Sequence, residues 1–285
     1  MEIAASIVVN SLVLSSMYIF VALGFALILS MVGILNFAHG AIYMVGGYIC
    51  YIFACGFGLN QWLSLLMSVL IVGLFGLFLE KFCFRPFSGD MWRVTVMAIA
   101  LIIILETTVN VTLGAEVRRL PAFVSGVVRT GPISLSLERL VTFAVGGLAL
   151  LIFSLFVRKT KPGQQMLAVA QNPEGATLQG ISTHQMSALA CAIGCGLAAA
   201  AGSLMGAILQ LGPFMGDYML LKAIQVVILS GIGSIGGVLV GGLIIGFLDG
   251  TLPMFTGGAV IDAVGLGIIV VLLLFRPQGF FGHEA

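Results

Sequence analysis

Side chains that could bind a solute occur at a few isolated places in an otherwise apolar sequence. Asn36 and His39 lie in a segment bracketed by glycines, residues 33–40, and Glu106 and Lys222 lie within apolar stretches. An ionisable group at bilayer depth costs several kcal/mol unless it pairs or faces water, so it marks a solute pathway or an ion pair. A helix broken between glycines can present amides and backbone dipoles to a solute. We therefore predict a substrate pathway that includes these four residues; a surface turn at residues 33–40 is the competing interpretation.

The sequence contains a pattern typical of nucleotide-binding sites, but the segments around it do not fit such a site. Residues 231–236 match G-x-G-x-x-G, and Asp249 follows at a suitable distance. That fingerprint binds a dinucleotide only between a strand and an amphipathic helix, whereas both flanks here resemble membrane helices. The sequence contains no Gly-Lys-Ser/Thr phosphate loop, so we do not expect this chain to hydrolyse ATP.

Other catalytic and metal chemistry is equally poorly supported. The five cysteines fall mostly in apolar stretches, where cysteine acts as a small hydrophobic residue, and no histidine or carboxylate clusters with them. A formal net charge of +1, with Lys and Arg at the ends of apolar stretches, gives no reason to expect a nucleic acid partner. We expect no catalytic residue, metal or cofactor in this chain.

The composition predicts which elements must position these residues. Hydrophobic residues make up 60% of the chain and charged residues 8%, against about 25% charged in soluble domains. A helix needs roughly 20 apolar residues to cross a bilayer, and the chain contains a series of apolar runs of about this length. These runs lack the alternation of apolar and polar residues that is typical of barrel strands. We predict an all-α polytopic membrane protein, residues 1–285 forming one domain of about 8–9 transmembrane helices. The expected spans are Ala5–Met31, Gly40–Phe57, Trp62–Phe82, Val94–Leu113, Leu140–Val157, His184–Leu209, Tyr218–Leu229, Ile235–Leu252 and Ala259–Phe275. The short span that begins at Tyr218 is expected to be broken or re-entrant.

Charged residues near the span ends predict the orientation. Basic residues in segments 81–93 and 158–161, and an arginine after the last span, place these sites in the cytoplasm. The amino terminus is then outside and the carboxyl terminus inside. Residues 114–139 fall outside despite four arginines, against the simplest form of the rule. Asp217 and Asp249 lie near span ends, where we expect them to reach the membrane interface.

The longest predicted cytoplasmic loop covers residues 158–183. Pro162 opens a turn, and Gln165–Ala170 could form a short amphipathic helix that ends near Pro173. This pattern suggests a docking element, and a solvated loop without a partner is the alternative.

Glycines at four-residue spacing predict close helix packing, because small residues on one helix face let two backbones approach. A direct role in handling substrate is the less favoured interpretation. The glycines assigned to packing are Gly202, Gly206, Gly233, Gly237, Gly241 and Gly246.

Four sequence blocks together resemble the LivH-type permeases of branched-chain amino-acid ABC importers. They are NFAHGAIYMVGGY from Asn36, QQMLAVAQNPEGATLQGI from Gln164, LKAIQVVILSGIGSIGGVLVGGLIIG from Leu221, and LLLFRPQGFFG before His283. The blocks follow the order of the family over nearly the whole chain. Ala41 departs from the pattern, since an acidic or polar residue is expected there.

The resemblance implies a complex in the bacterial inner membrane. Its members would be a second related permease, two cytoplasmic ATPases that carry ATP and Mg²⁺, and a periplasmic solute-binding protein. Residues 168–181 would be the coupling helix that contacts an ATPase. The coupling residues would be Gln171, Asn172, Pro173 and Glu174.

The resemblance also implies a cargo of leucine, isoleucine or valine, although relatives carry urea, amides or aromatic acids. A related sugar permease is another alternative. An ion-coupled secondary carrier would need paired carboxylates or a Na⁺ site among broken helices. An intramembrane hydrolase would need a Ser–His pair or two aspartates at mid-membrane depth.

Overall fold

The computed structural model describes residues 2–87, 89–130, 133–231, 234–254, 258–276 and 278–281. These residues form a helical protein with one short hairpin. The helices are α1 (Glu2–Val32), α2 (His39–Tyr51), α3 (Gln61–Leu79), α4 (Met91–Leu113), α5 (Leu137–Lys159), α6 (Lys161–Gln171), α7 (Pro173–Leu178), α8 (Thr183–Ile208), α9 (Met215–Ser230), α10 (Ile235–Thr251) and α11 (Gly258–Phe275). Strands β1 (Val127–Thr130) and β2 (Ile133–Ser136) pair antiparallel, with Val127 opposite Ser136.

The all-α polytopic membrane fold is confirmed. Six helical segments within the described residues are long and apolar enough to cross a membrane: Ile7–Val32, His39–Gly56, Gln61–Phe87, Met91–Leu113, Leu137–Lys159 and Thr183–Ile208. Helices α9, α10 and α11 have 16, 17 and 18 residues and are shorter than most of these segments. The described parts of the chain therefore support a multi-pass protein but leave the predicted 8–9 spans as a prediction.

Helix α9 differs from the broken segment that the sequence suggested. It runs without interruption from Met215 to Ser230 and ends at Gly231, whose φ of 93° is readily adopted only by glycine. The glycine with positive φ therefore follows α9 and does not divide it.

Helix α1 lies at the centre of the helix packing. It packs against α5, α8, α9 and α10, and its residues from Met17 to Ile28 are almost all buried. Gly242, Gly246 and Gly250 of α10 face Ile19, Ser15 and Ser11 of α1 so closely that no side chain would fit at the glycines. Close approach of the two backbones, rather than large side chains, therefore joins α1 to α10.

Helices α3, α4 and α5 lie at the periphery with apolar outer faces. Leu74, Ile103 and Leu151 are 64%, 60% and 56% exposed. Such surfaces suit a hydrocarbon solvent rather than water.

The two ends of the bundle differ in structure. The β1–β2 hairpin and the preceding segment, residues 114–126, define what we call the hairpin end. There Arg118 and Leu211 exchange two backbone hydrogen bonds of 2.9 and 2.8 Å, which attach this segment to the loop between α8 and α9. The guanidinium of Arg118 donates to the Tyr51 hydroxyl at 3.1 Å and to the Leu113 carbonyl at 2.6 Å. One arginine thus joins the ends of α2 and α4 to the start of the α9 region.

Helices α6 and α7 lie at the opposite end, which we call the α6–α7 end. Thr160 caps α6 by accepting from the Gly163 amide, and Asn172 caps α7 by accepting from the Gly175 amide at 2.8 Å. The short helix predicted at Gln165–Ala170 is therefore part of a longer helix that begins at Lys161.

Candidate functional site

A buried ion pair joins α9 to α10. The Lys222 ammonium of α9 lies 2.8 Å from Oδ2 of Asp249 on α10 and donates to Oδ1 at 3.1 Å. Lys222 is 0% exposed and Asp249 is 6% exposed. Lys222 is near the midpoint of α9, whereas Asp249 lies in the last turn of α10. A buried pair of this kind is stable only when further hydrogen bonds satisfy its charges.

Two tyrosines supply hydrogen bonds to the Asp249 carboxylate. Tyr18 of α1 donates to Oδ2 at 2.8 Å, and Tyr218 of α9 donates to the same oxygen at 3.1 Å. The Lys222 ammonium also lies 5.1 Å from the centre of the Tyr218 ring, within range of a cation–π interaction. The four side chains, here named the Lys222 cluster, join α1, α9 and α10.

Polar groups extend from the Lys222 cluster toward the hairpin end. Tyr218 is 41% exposed, one turn before Lys222, and Asp217 is exposed in the first turn of α9. The carboxyl groups of Asp217 and Glu106 interact across α9 and α4. Charged and hydroxyl groups therefore line α9 from its start at the hairpin end to its midpoint.

Gln225 continues this line beyond Lys222. It is 1% exposed, and neither its amide oxygen nor its amide nitrogen has a hydrogen-bond partner among the described residues. A Cβ added to Gly265 of α11 would lie 3.3 Å from the Gln225 oxygen. An amide that is buried without a partner costs free energy, which makes Gln225 a candidate to bind a polar group.

The structure brings Lys222 and Asp249 together, but it places Asn36 and His39 elsewhere. Asn36 is buried in the turn between α1 and α2, where its Oδ1 accepts from the Ala38 amide at 3.1 Å. The His39 Nε2 lies 3.1 Å from the Val21 carbonyl, and its ring packs edge-on against Phe25. The Asn36 nitrogen and His39 Nδ1 have no partner within the described residues. Both side chains therefore stabilise the turn and the α1–α2 contact.

Sequence reasoning identified Lys222 but missed the roles of the other three side chains in the Lys222 cluster. The expectation that Asp249 reaches the membrane interface was wrong, because Asp249 is buried and paired with Lys222. Tyr18 and Tyr218 gave no signal, since isolated tyrosines in apolar spans are common. The spacing from Lys222 to Asp249 is not a helical repeat, and only the antiparallel return of α10 beside α9 brings them together.

The four predicted coupling residues lie together on the surface of the α6–α7 end. Gln171, Asn172, Pro173 and Glu174 are all exposed at the junction of α6 and α7. Leu178, at the end of α7, is 87% exposed.

The assigned glycines lie mostly at close helix contacts. Gly202 faces the Tyr43 carbonyl, and a Cβ at Gly206 would come 2.6 Å from Leu211. Gly237 and Gly241 face Ser230, where a Cβ at Gly237 would lie 2.8 Å from the carbonyl. Gly246 packs on α1, as described above, and Gly233 lies outside the described residues.

Residues 7–275 match a protein family described as the permease component of branched-chain amino acid transport systems. Two similar proteins are the high-affinity branched-chain amino acid permeases LivH of Salmonella typhimurium and BraD of Pseudomonas aeruginosa. LivH is 29% identical over 96% of this chain and 94% of its own length. BraD is 30% identical over the same shares of the two chains.

One solved structure has a related fold. PsaBC from Streptococcus pneumoniae, in complex with a Fab, superposes with a TM-score of 0.54 and 13% identity, covering 94% of this chain and 91% of that chain. At this identity the similarity concerns the fold alone.

Proposed function

Because this chain belongs to the family of branched-chain amino acid transport permeases, we propose that it is the membrane-spanning subunit of an ATP-driven ABC importer. Its cargo would be branched-chain or other neutral amino acids delivered by a periplasmic binding protein. The chain itself would carry no catalytic group and no cofactor. The observation that carries the proposal is the match to this family over residues 7–275.

The Lys222 cluster suits a zwitterionic cargo. An amino acid carries one carboxylate and one ammonium, which are the partners that Lys222 and Asp249 offer each other in this structure. When cargo binds, Lys222 would pair with its carboxylate and Asp249 with its ammonium in place of their pair with each other. Every charge would then remain compensated in the low-dielectric interior. Tyr218 lies on the side toward the hairpin end and would have to move aside first. The substrate pathway we propose runs along α9 past Glu106 and Asp217.

Asn36 and His39 remain in the proposed pathway as groups that control its shape. Their unpartnered nitrogens lie in the turn that sets the position of α2 relative to α1. A change of this turn would move α2, which packs against α9.

The arrangement in the membrane follows from alternate crossings. We propose that α1–α5 and α8–α11 supply nine crossings in the bacterial inner membrane, with residues 1–285 as a single permease domain. The hairpin end would then face the periplasm and the α6–α7 end the cytoplasm. The carboxyl terminus would be cytoplasmic.

The proposed assembly contains a second, related permease, two ABC ATPases that bind ATP and Mg²⁺, and the binding protein. The loop from residue 158 to 183 would couple to an ATPase through Gln171, Asn172, Pro173 and Glu174. All four residues are exposed and so are accessible to a partner. Closure of the ATPases would move α6 and α7, and through α5 and α8 the rest of the bundle.

Alternative cargo would leave the charges of the Lys222 cluster without a role in recognition. Urea, amides and sugars carry no charge, and an aromatic acid without an amino group would leave Asp249 without a new partner. An ion-coupled secondary carrier would use the Glu106 and Asp217 carboxylates and would need no ATPase.

The test is purification of the chain with its genomic neighbours, followed by ATPase and transport assays in liposomes. Glu174→Arg should release the ATPase subunits or uncouple hydrolysis from transport. Glu116→Arg is the matched control for ATPase co-purification, since it makes the same change at an exposed site of the opposite, hairpin end. If no ATPase co-purifies and the chain moves solute under an ion gradient, the secondary-carrier alternative replaces this proposal.

A further inference from the structure

A cavity of about 610 Å³ lies at the hairpin end, with both charged and apolar walls. Arg119 and Arg139 line it, and both are exposed. Glu138 also lines it but is buried, and its Oε2 accepts from the Val124 amide at 3.0 Å. The two guanidinium groups outnumber the single carboxylate, so the cavity has the charge to receive an anion.

A second cavity, of about 630 Å³, is an open groove between α3 and α5 with α8 as its floor. Trp62, Leu66 and Leu74 of α3 form one wall, Val145 of α5 the other, and Gly196 of α8 part of the floor. Its walls are almost entirely apolar. The outer faces of α3 and α5 beside it are apolar too, so the groove opens toward lipid.

The two cavities follow the same helix faces. On α5, Glu138 lines the first cavity and Val145 the second, seven residues apart. On α8, Leu204 lines the groove, and Ile208 lines the charged cavity. Residues that are four or seven apart share one side of a helix. The charged cavity therefore lies above the groove, toward the hairpin end.

The groove is long enough to hold a lipid chain. Its α3 wall runs from Trp62 to Leu77, which at 1.5 Å per residue is about 22 Å. Half of a hydrocarbon core is roughly 15 Å. At the hairpin end Trp62 packs on Phe123 with 5.0 Å between ring centres, and tryptophan is enriched at the membrane interface. The groove thus extends from interface level past the membrane midplane.

We propose that these stacked cavities form one binding site for a phospholipid of the leaflet at the hairpin end. The phosphate binds Arg119 and Arg139, and one acyl chain fills the groove between α3 and α5. Arginine suits this task because its planar group forms charge-assisted hydrogen bonds with phosphate oxygens. A helix of a partner protein could fill the apolar groove but would leave the two arginines unused.

The site gives the lipid a role in holding α5 and α3 at a fixed separation. Both helices pack on α8, but neither packs extensively on the other. A bound chain would fill the space between them. This proposal does not depend on the identity of the cargo.

Native mass spectrometry of the detergent-purified full chain, titrated with phosphatidylglycerol, tests the site. The wild type should retain one lipid in preference to diacylglycerol with the same chains. Arg119→Gln or Arg139→Gln should each weaken retention about tenfold, the loss of one charge-assisted contact. Gly196→Leu should abolish retention by filling the groove, since its Cβ direction meets only Val69, at 3.5 Å.

Two controls keep the test decisive. Gly147→Leu places the same side chain on an exposed part of α5 with open space around it, and it should retain lipid like the wild type. Thermal unfolding confirms that each variant is folded. Equal retention by the wild type and the arginine variants, or equal binding of diacylglycerol, would overturn the proposal. Crosslinking of a co-purified protein helix to Trp62 in place of lipid would overturn it too.

Discussion

Removal of one partner of the buried ion pair should destabilise the protein more than removal of both. Asp249→Leu takes away the acceptor of the Lys222 ammonium and of two tyrosine hydroxyls, Tyr18 and Tyr218, at one time. Loss of one member of a buried pair typically costs about 3–5 kcal/mol of folding free energy. We expect Asp249→Leu to reach this range.

Lys222→Met should cost less than Asp249→Leu. The carboxylate of Asp249 keeps both tyrosine hydrogen bonds in this variant, at 2.8 and 3.1 Å. The double variant leaves no buried charge in the Lys222 cluster. Replacement of a whole buried pair by apolar residues is often neutral or stabilising, by about 1–4 kcal/mol. We therefore expect the double variant to be more stable than Asp249→Leu alone.

The assay is a double-mutant cycle of unfolding in detergent, with transport measured on the same proteins in liposomes. The double variant should fold but fail to transport zwitterionic cargo, because the charges that we assign to recognition are absent. Additive losses of stability would refute the pairing. Normal transport by a folded double variant would refute the role in recognition while leaving the ion pair intact as a structural feature.

Three further changes test the glycine packing of α10, the cap of α7 and the role of Tyr218. Gly246→Val should strongly destabilise the α1–α10 contact, whereas Gly236→Val should be tolerated, because nothing lies near its Cβ direction. Thermal unfolding compares the two variants, and an equal loss of stability would contradict close packing at Gly246. Asn172→Ala should remove the cap of α7 and so cost about 1 kcal/mol of stability at the start of that helix. Reduced co-purification of the ATPase, with a normally folded bundle, would reveal this loss. Tyr218→Phe should retain the fold and speed exchange at Lys222, because one hydrogen bond to Asp249 is lost; unchanged transport rates would argue against Tyr218 as a barrier.

The sequence predicted the helices well because bilayer thickness dictates long apolar runs. The span expected at Ala5–Met31 is α1, Glu2–Val32, and the span expected at His184–Leu209 is α8, Thr183–Ile208. The hairpin in the 114–139 loop went unforeseen, since its strands have only four residues each. Such short strands depend on tertiary context rather than on local pattern.

The candidate site was harder to predict than the fold. Lys222 was recognisable because a lysine within an apolar run costs too much to be accidental. Its partner was not recognisable, because the sequence does not show which helices are neighbours. Gln225 was missed for a different reason: an amide in an apolar helix is unremarkable until its surroundings offer no partner.

Arg118 links the surface of the hairpin end directly to the interior of the bundle. Its backbone is bonded to Leu211, four residues before α9 begins, so a force applied to the segment 114–126 reaches α9 over a distance of a few residues. A protein that seats on this surface would thereby tilt or release the helix that carries Lys222 without any long chain of intermediate contacts. In the proposed assembly, docking of the binding protein on this surface and opening of the interior would then be one event rather than two.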